Sequence, residues 1–291
     1  MTTHASQSGP TTAADTPASS QQPTPEAPAA RAEQPAGTVH KLPEMAALGF
    51  NFDRWQQAVE AAIATDHLQV TGEVRGGQLI QFTDPSGAQL NILAVEPFAT
   101  FVGFNAVTQS FAHVDMVNDV LAHLEVIDPF GTVLATVTAN LAQGPLLAEE
   151  ETQQWQQVSL TALALETRRY ASAEAFEAET GQFPAVAKSS GAEIIASGSG
   201  ALAPTPAFEF AGRVMESQWL TNELTGQRFA HVVLDGAFPL DVCLPDDGGE
   251  LPEKNTVLAA SALLTASVAA PTGGCGSGGG CGCGSGGCGC S

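Results

Sequence analysis

Residues 208–242, FEFAGRVMESQWLTNELTGQRFAHVVLDGAFPLDV, alternate apolar and polar side chains more regularly than any other part of the chain. Phe208, Phe210, Gly212 and Val214 fall at every second position, as do Phe229, His231 and Val233, and then Leu240 and Val242. A strand points successive side chains to opposite faces, so a period of two marks strands and not a helix. Asn222-Glu223-Leu224-Thr225-Gly226 separates the first two runs with residues that suit a turn. Short strands punctuated by glycine predict a small β-barrel over 207–270. Residues 257–268 supply either its last strand or a closing helix, because their small side chains fit both.

Outward from this stretch, 182–206 is rich in Gly, Ser, Ala and Pro and is expected to be a linker to a first domain at 39–181. Two hairpin signals lie in that domain. Leu79-Ile80-Gln81-Phe82 runs into Asp84-Pro85-Ser86-Gly87 and on to Leu90 and Ile92. Leu124-Glu125-Val126-Ile127 runs into Asp128-Pro129-Phe130-Gly131 and on to Val133, Ala135 and Val137. The shared D-P-x-G chemistry points to a meander or a weak repeat. Residues 157–170 alternate as a strand, and 174–179 read as a short helix starting at Ser172. Earlier, Phe52, Trp55, Val59 and Ile63 recur at steps of three and four, the spacing of an amphipathic helix, with Asn51 able to cap it and Asp53 in its first turn. Trp55 is expected to anchor the core. The fold class is therefore α+β and β-dominated, with a helix and antiparallel sheet in the first half and a small barrel in the second.

The runs at 208–214, 222–229 and 239–242, with the hairpin D-P-S-G-A-Q-L at 84–90, resemble a group of uncharacterised bacterial proteins with an OB-like C-terminal domain. The resemblance covers the body of the chain, neither end, and rests on turn and core residues. It implies that the second-half barrel is OB-like, and it carries no catalytic residue with it.

The ends differ from the body. Residues 1–38 are Ala, Pro, Thr, Ser and Gln without an aromatic, too poor in apolar side chains to offset the entropy of ordering, and are expected to be disordered. They have no basic start followed by an apolar core, so no secretory signal is read there and a cytoplasmic location is expected. The chain carries 31 Asp and Glu against 10 Lys and Arg, a net charge of −21. Such a field repels phosphate backbones and anionic lipid, which argues against nucleic-acid and membrane partners and leaves a protein partner open.

The concentrated chemistry lies in the tail, 271–291. Cys275, Cys281, Cys283, Cys288 and Cys290 are set there among glycine and serine. Two C-x-C pairs, Cys281/Cys283 and Cys288/Cys290, can supply the four thiolates that a soft ion such as Zn(II) or Cu(I) takes, although the spacing is not that of a zinc ribbon. The leading expectation is a non-enzymatic binding or scaffolding protein that holds a soft metal through these four cysteines. Two alternatives stand beside it: an enzyme using His113 or His123, and a precursor whose Cys/Ser tail is chemically modified. His113/Asp115 and His123/Glu125 each place an acid two residues from a histidine, on one face of a strand, where a surface salt pair is the commoner outcome. Cys243, between Val242 and Leu244, reads as a small core hydrophobe. Asp246, Asp247 and Glu250 read as a solvated turn, and Glu149-Glu150-Glu151 as a solvated face.

Overall fold

The computed structural model describes residues 42–269. Two short helices, α1 (Pro43–Ala46) and α2 (Trp55–Ile63), precede an antiparallel meander of β1 (Leu68–Val74), β2 (Gly77–Thr83), β3 (Ala88–Leu93) and β4 (Ala99–Phe104). A second meander follows, β5 (Ser110–Met116), β6 (Leu121–Ile127) and β7 (Val133–Leu141), then α3 (Gly144–Leu147) and the long β8 (Gln153–Tyr170). After α4 (Ala173–Thr180), β9 (Val186–Ser189) and α5 (Ser190–Ser197), a third meander runs through β10 (Ala207–Thr221), β11 (Arg228–Asp235) and β12 (Pro239–Pro245), and β13 (Val257–Val268) closes the described chain.

Both D-P-x-G segments make the turns expected of them, by one mechanism. The Asp84 carboxylate accepts the Ser86 N–H at 2.9 Å, and that of Asp128 accepts the N–H groups of Phe130 and Thr132, each at 2.8 Å. Gly87 and Gly131 then turn the chain back at φ +90° and +86°, a conformation an L side chain rarely adopts. The resulting registers, Thr83 with Gln89 and Ile127 with Val133, set which side chains face inward.

Strands β5 to β13 form one nine-stranded sheet whose pairings close on themselves twice. One circuit runs β5-β6-β7-β13-β8 and back to β5; the other runs β10-β11-β12-β8-β13 and back to β10. In each, three antiparallel strands are followed by one parallel pair, β7 with β13 and β12 with β8. The antiparallel pair β8–β13 belongs to both. Near the middle of the shared ladder Thr161 pairs with Thr265; Thr161 also pairs with Asp241 of β12, and Thr265 with Asn140 of β7. The segments 110–170 and 207–268 therefore repeat one connectivity, each lending its last strand to the other. Both interiors belong to one apolar cluster that includes Leu124, Val137, Leu160, Phe208, Val232 and Leu264. Each such large side chain contributes roughly 1.5–3 kcal/mol by leaving water.

Three expectations need correction. The segment 182–206 is not a bare linker: it carries β9, which pairs with β10, and α5, whose Ser189 cap accepts the Ala192 N–H. The second-half barrel does not close within 207–270, because β12 finds its remaining neighbour in β8 of the first half. The early helix starts at Trp55, its N-cap is Arg54 without a side-chain bond, and Ile63 is exposed. Ala58 and Ala62 are its buried residues, with Trp55 and Val59 partly buried beside them, since small side chains let the helix approach its neighbours. Residues 257–268, left open between strand and helix, are a strand: both their edges are taken by β8 and β10, which satisfies a backbone that small side chains alone do not direct.

Candidate functional site

The most buried titratable pair lies in the second circuit. His231 on β11 is opposite Cys243, and Asp241 on β12 is opposite Val233, so His231 and Asp241 are diagonal neighbours on one hairpin. His231 Nε2 lies 2.5 Å from Asp241 Oδ1, with the residues 3% and 0% exposed. The same carboxylate accepts the N–H groups of Val107 at 3.1 Å and Thr108 at 2.9 Å, and the Thr108 hydroxyl. Burial works to raise the Asp241 carboxyl, but the donors from His231, Thr108 and Val107 outweigh it and hold the group below the usual carboxylate range. Gln218 Nε2 is 3.3 Å from the other ring nitrogen, Nδ1. A consistent chain of donors runs from the Gln218 amide to Nδ1, and from Nε2–H to the carboxylate.

This arrangement borders a pocket of ≈ 220 Å³ lined by Val107, Glu216, Ser217, Gln218, His231 and Val233. A carboxylate-oriented imidazole is the geometry of a general base. Here, however, Gln218 occupies Nδ1, and Ser217 donates its hydroxyl proton to the Pro252 carbonyl at 2.7 Å, away from the ring. The pair ties the segment after β4 to the second circuit. Sequence reading missed it because His231 counted as one more strand position; the signal was a histidine and an aspartate on buried strands of one predicted hairpin.

The two H-x-acid motifs meet on the β5–β6 pair. His113 is opposite Glu125 and Asp115 is opposite His123, so four titratable side chains share one face of adjacent strands. Among the described residues no ion pair joins the histidine and the acid of either motif, and each histidine is instead set directly opposite the other motif's acid. His123 and Glu125 instead line an open cleft of ≈ 470 Å³ with Thr136, Lys188, Ser189 and Glu193. His113 accepts the Trp155 N–H on Nδ1 at 3.2 Å, which leaves the proton of the neutral ring on Nε2 and no free lone pair for a base. Trp155 itself is 50% exposed and sits at φ +56°, where a bulky residue costs about 1–3 kcal/mol of strain. It lies at a bulge between β5 and β8, with its ring edge-on to His113 at 5.8 Å between centroids.

Of the cysteines, Cys281, Cys283, Cys288 and Cys290, with Cys275, lie outside the described residues. Cys243 is buried as expected, and burial, with the charge of Asp241 second, pushes its thiol well above the ordinary value. Asp246 is engaged by Arg228 at 2.5 Å and accepts the Gly248 N–H, while Asp247 accepts that of Gly249, the behaviour of a turn. Among the described residues no three His, Cys, Asp or Glu side chains gather as a metal site, and no helix is long and apolar enough to cross a membrane. Set against protein-family models, curated proteins and solved structures, the chain matches none of them.

Proposed function

We propose that this chain is a non-enzymatic binding or scaffolding protein of the cytoplasm that holds a soft metal ion, Zn(II) or Cu(I), on Cys281, Cys283, Cys288 and Cys290. The observation that carries the reading is the partition of thiols. One cysteine is sealed in the core with its thiol held protonated by burial, and the other five are concentrated in the last seventeen residues among glycine and serine. Thiolate is the metal-binding form, so the tail is where this chain can bind a soft ion.

The body supports binding better than catalysis. His231 and Asp241 have their hydrogen-bonding positions filled by protein groups, and His113 gives its acceptor nitrogen to the Trp155 amide. The second circuit is read as an OB-like barrel, supported by its three-stranded meander and its single parallel pair between β12 and β8. The resemblance to the bacterial group is then one of fold. The acidic surface argues for a protein partner over nucleic acid or membrane.

Competition titration of the reduced protein against a chromogenic chelator tests the metal. About one Zn(II) per chain is expected, with affinity falling steeply below neutral pH as protons compete for sulfur. Serine at the four tail positions should abolish it; equal stoichiometry in that variant would sink the reading. Intact mass of protein from its own host separates the rivals. Losses of about 18–20 Da per modified residue, as dehydration or dehydration with oxidation of a Cys or Ser requires, would favour the modified precursor instead.

A further inference from the structure

We propose that the exposed face around Trp155 is a docking surface for an arginine-bearing segment of a protein partner. The proposal rests on the binding reading above and shares no residue with the thiol tail. Three features place an apolar platform there. Phe111 on β5 and Val133 on β7 are both exposed and flank the buried Ile127 of β6 as successive partners in one ladder row. Trp155 reaches across to the turn after β6, where a Cβ on Gly131 would stand 3.3 Å from its ring. Phe130, in that same turn, is 92% exposed. Phe111, Val133, Leu134 and Trp155 are also exposed, so the row ends in an aromatic and aliphatic patch of the kind that marks interaction sites.

Charge selects the occupant. On the same face, Glu125 lies opposite His113 on the row next to Phe111, Asp115 lies opposite His123 one row further, and Thr152, three residues before Trp155, donates to Asp115 at 3.3 Å. A second tryptophan of this chain gives the matching case: the Arg228 guanidinium lies 4.2 Å over the Trp219 ring, with its Nε on Asp246 at 2.5 Å. At Trp155 the ring lies edge-on to His113, whose cross-strand partner is Glu125, and among the described residues no cation lies over that ring. A guanidinium is flat enough to stack on indole while its edge forks to a carboxylate, which an ammonium cannot do as well. The excess of 31 acidic over 10 basic residues draws a cationic segment toward the surface, and Trp155 with Phe130 gives the contact its place.

The test uses the full reduced chain with EDTA present and two fluorescein-labelled hexapeptides, Gly-Arg-Gly-Arg-Gly-Arg and its lysine counterpart, followed by anisotropy at low and moderate salt. The arginine peptide should bind about threefold or more tighter than the lysine peptide, and Trp155→Ala should weaken it by about five- to tenfold. Glu125→Gln should weaken both peptides and flatten the salt dependence. Equal binding of the two peptides with no effect of Trp155→Ala would reduce the attraction to the general acidic field and overturn the proposal, as would no binding at millimolar peptide. If Trp155→Ala does not fold, indole N–H resonances of the parent decide: that of Trp155 must shift on titration while those of Trp55 and Trp219 stay. The chelator titration is read separately, so this surface can fail while the metal reading stands.

Discussion

Asp84 accepts the backbone N–H of Leu224 at 3.1 Å, joining two turns that lie 140 positions apart. Its other oxygen holds the Ser86 N–H and hydroxyl of its own turn. The Leu224 turn reaches further: Asn222 Nδ2 donates to the Leu48 carbonyl at 3.0 Å and Thr225 Oγ1 to that of Gly49 at 2.6 Å. The chain entry near α1, the β2–β3 turn and the β10–β11 turn are thus one polar junction built on the buried Asp84 and Asn222, beside an apolar cluster that includes Phe50, Phe104 and Phe229.

Asp84→Ala should therefore cost about 2–3 kcal/mol, because it removes a buried carboxylate and leaves the partly buried N–H groups of Ser86 and Leu224 without their acceptor. Asp128→Ala removes the same turn chemistry at an exposed site, so about 1 kcal/mol is expected. Urea denaturation of both variants checks the contrast; equal losses would mean that the cross-turn bond to Leu224 adds nothing.

Acid stability should depend on Asp241. Its folded-state pKa is depressed, so its contribution is fully present above the unfolded carboxylate value, about 3.9, and is lost as pH falls through the folded value. Asp119, Asp128 and Asp246 are shifted in the same direction and keep part of the slope in any variant. Asp241→Asn should lower stability at pH 7 and make the remaining stability fall less between pH 5 and 3. Denaturation midpoints across that range would refute this if both proteins lose stability in parallel.

Residues 207–269 expressed alone should not fold. Without β8, the edges of β12 and β13 that pair with it are left open, and Leu160, Ala162 and Ala164 are missing from the shared core. A fragment with dispersed amide resonances and a cooperative melt would show the second circuit to be independent.

Single-stranded DNA should not bind at physiological salt. Residues 207–270 offer Arg213, Arg228 and Lys254, and two of these are already paired with Asp235 and Asp246. A salt-sensitive micromolar complex in fluorescence anisotropy would contradict the electrostatic argument.

The hairpins at Asp84 and Asp128, the strands of 208–242 and the helix capped by Ser172 were legible because each is written within a few residues: an Asx turn, a period of two, a side-chain cap. The α2 start was misread because Asn51 is a good capping residue that the helix does not use, and its inward face because the spacing counted Ile63, whereas Ala58 and Ala62 face the core. The His231–Asp241 contact and the meeting of His113 with Glu125 depend on hairpin register, which alternation constrains only to a choice of face.

The sequence by itself determined a β-dominated body, its turns, its acidity and the segregation of thiols into the tail, since composition and period-two patterning act locally. Only the tertiary structure decided that β8 and β13 serve both circuits, that Asp84 reaches Leu224, and that Trp155 stands edge-on to His113. Pairing partners are chosen by which distant edges satisfy each other's backbone groups while burying a common core, and no short stretch of chain carries that choice.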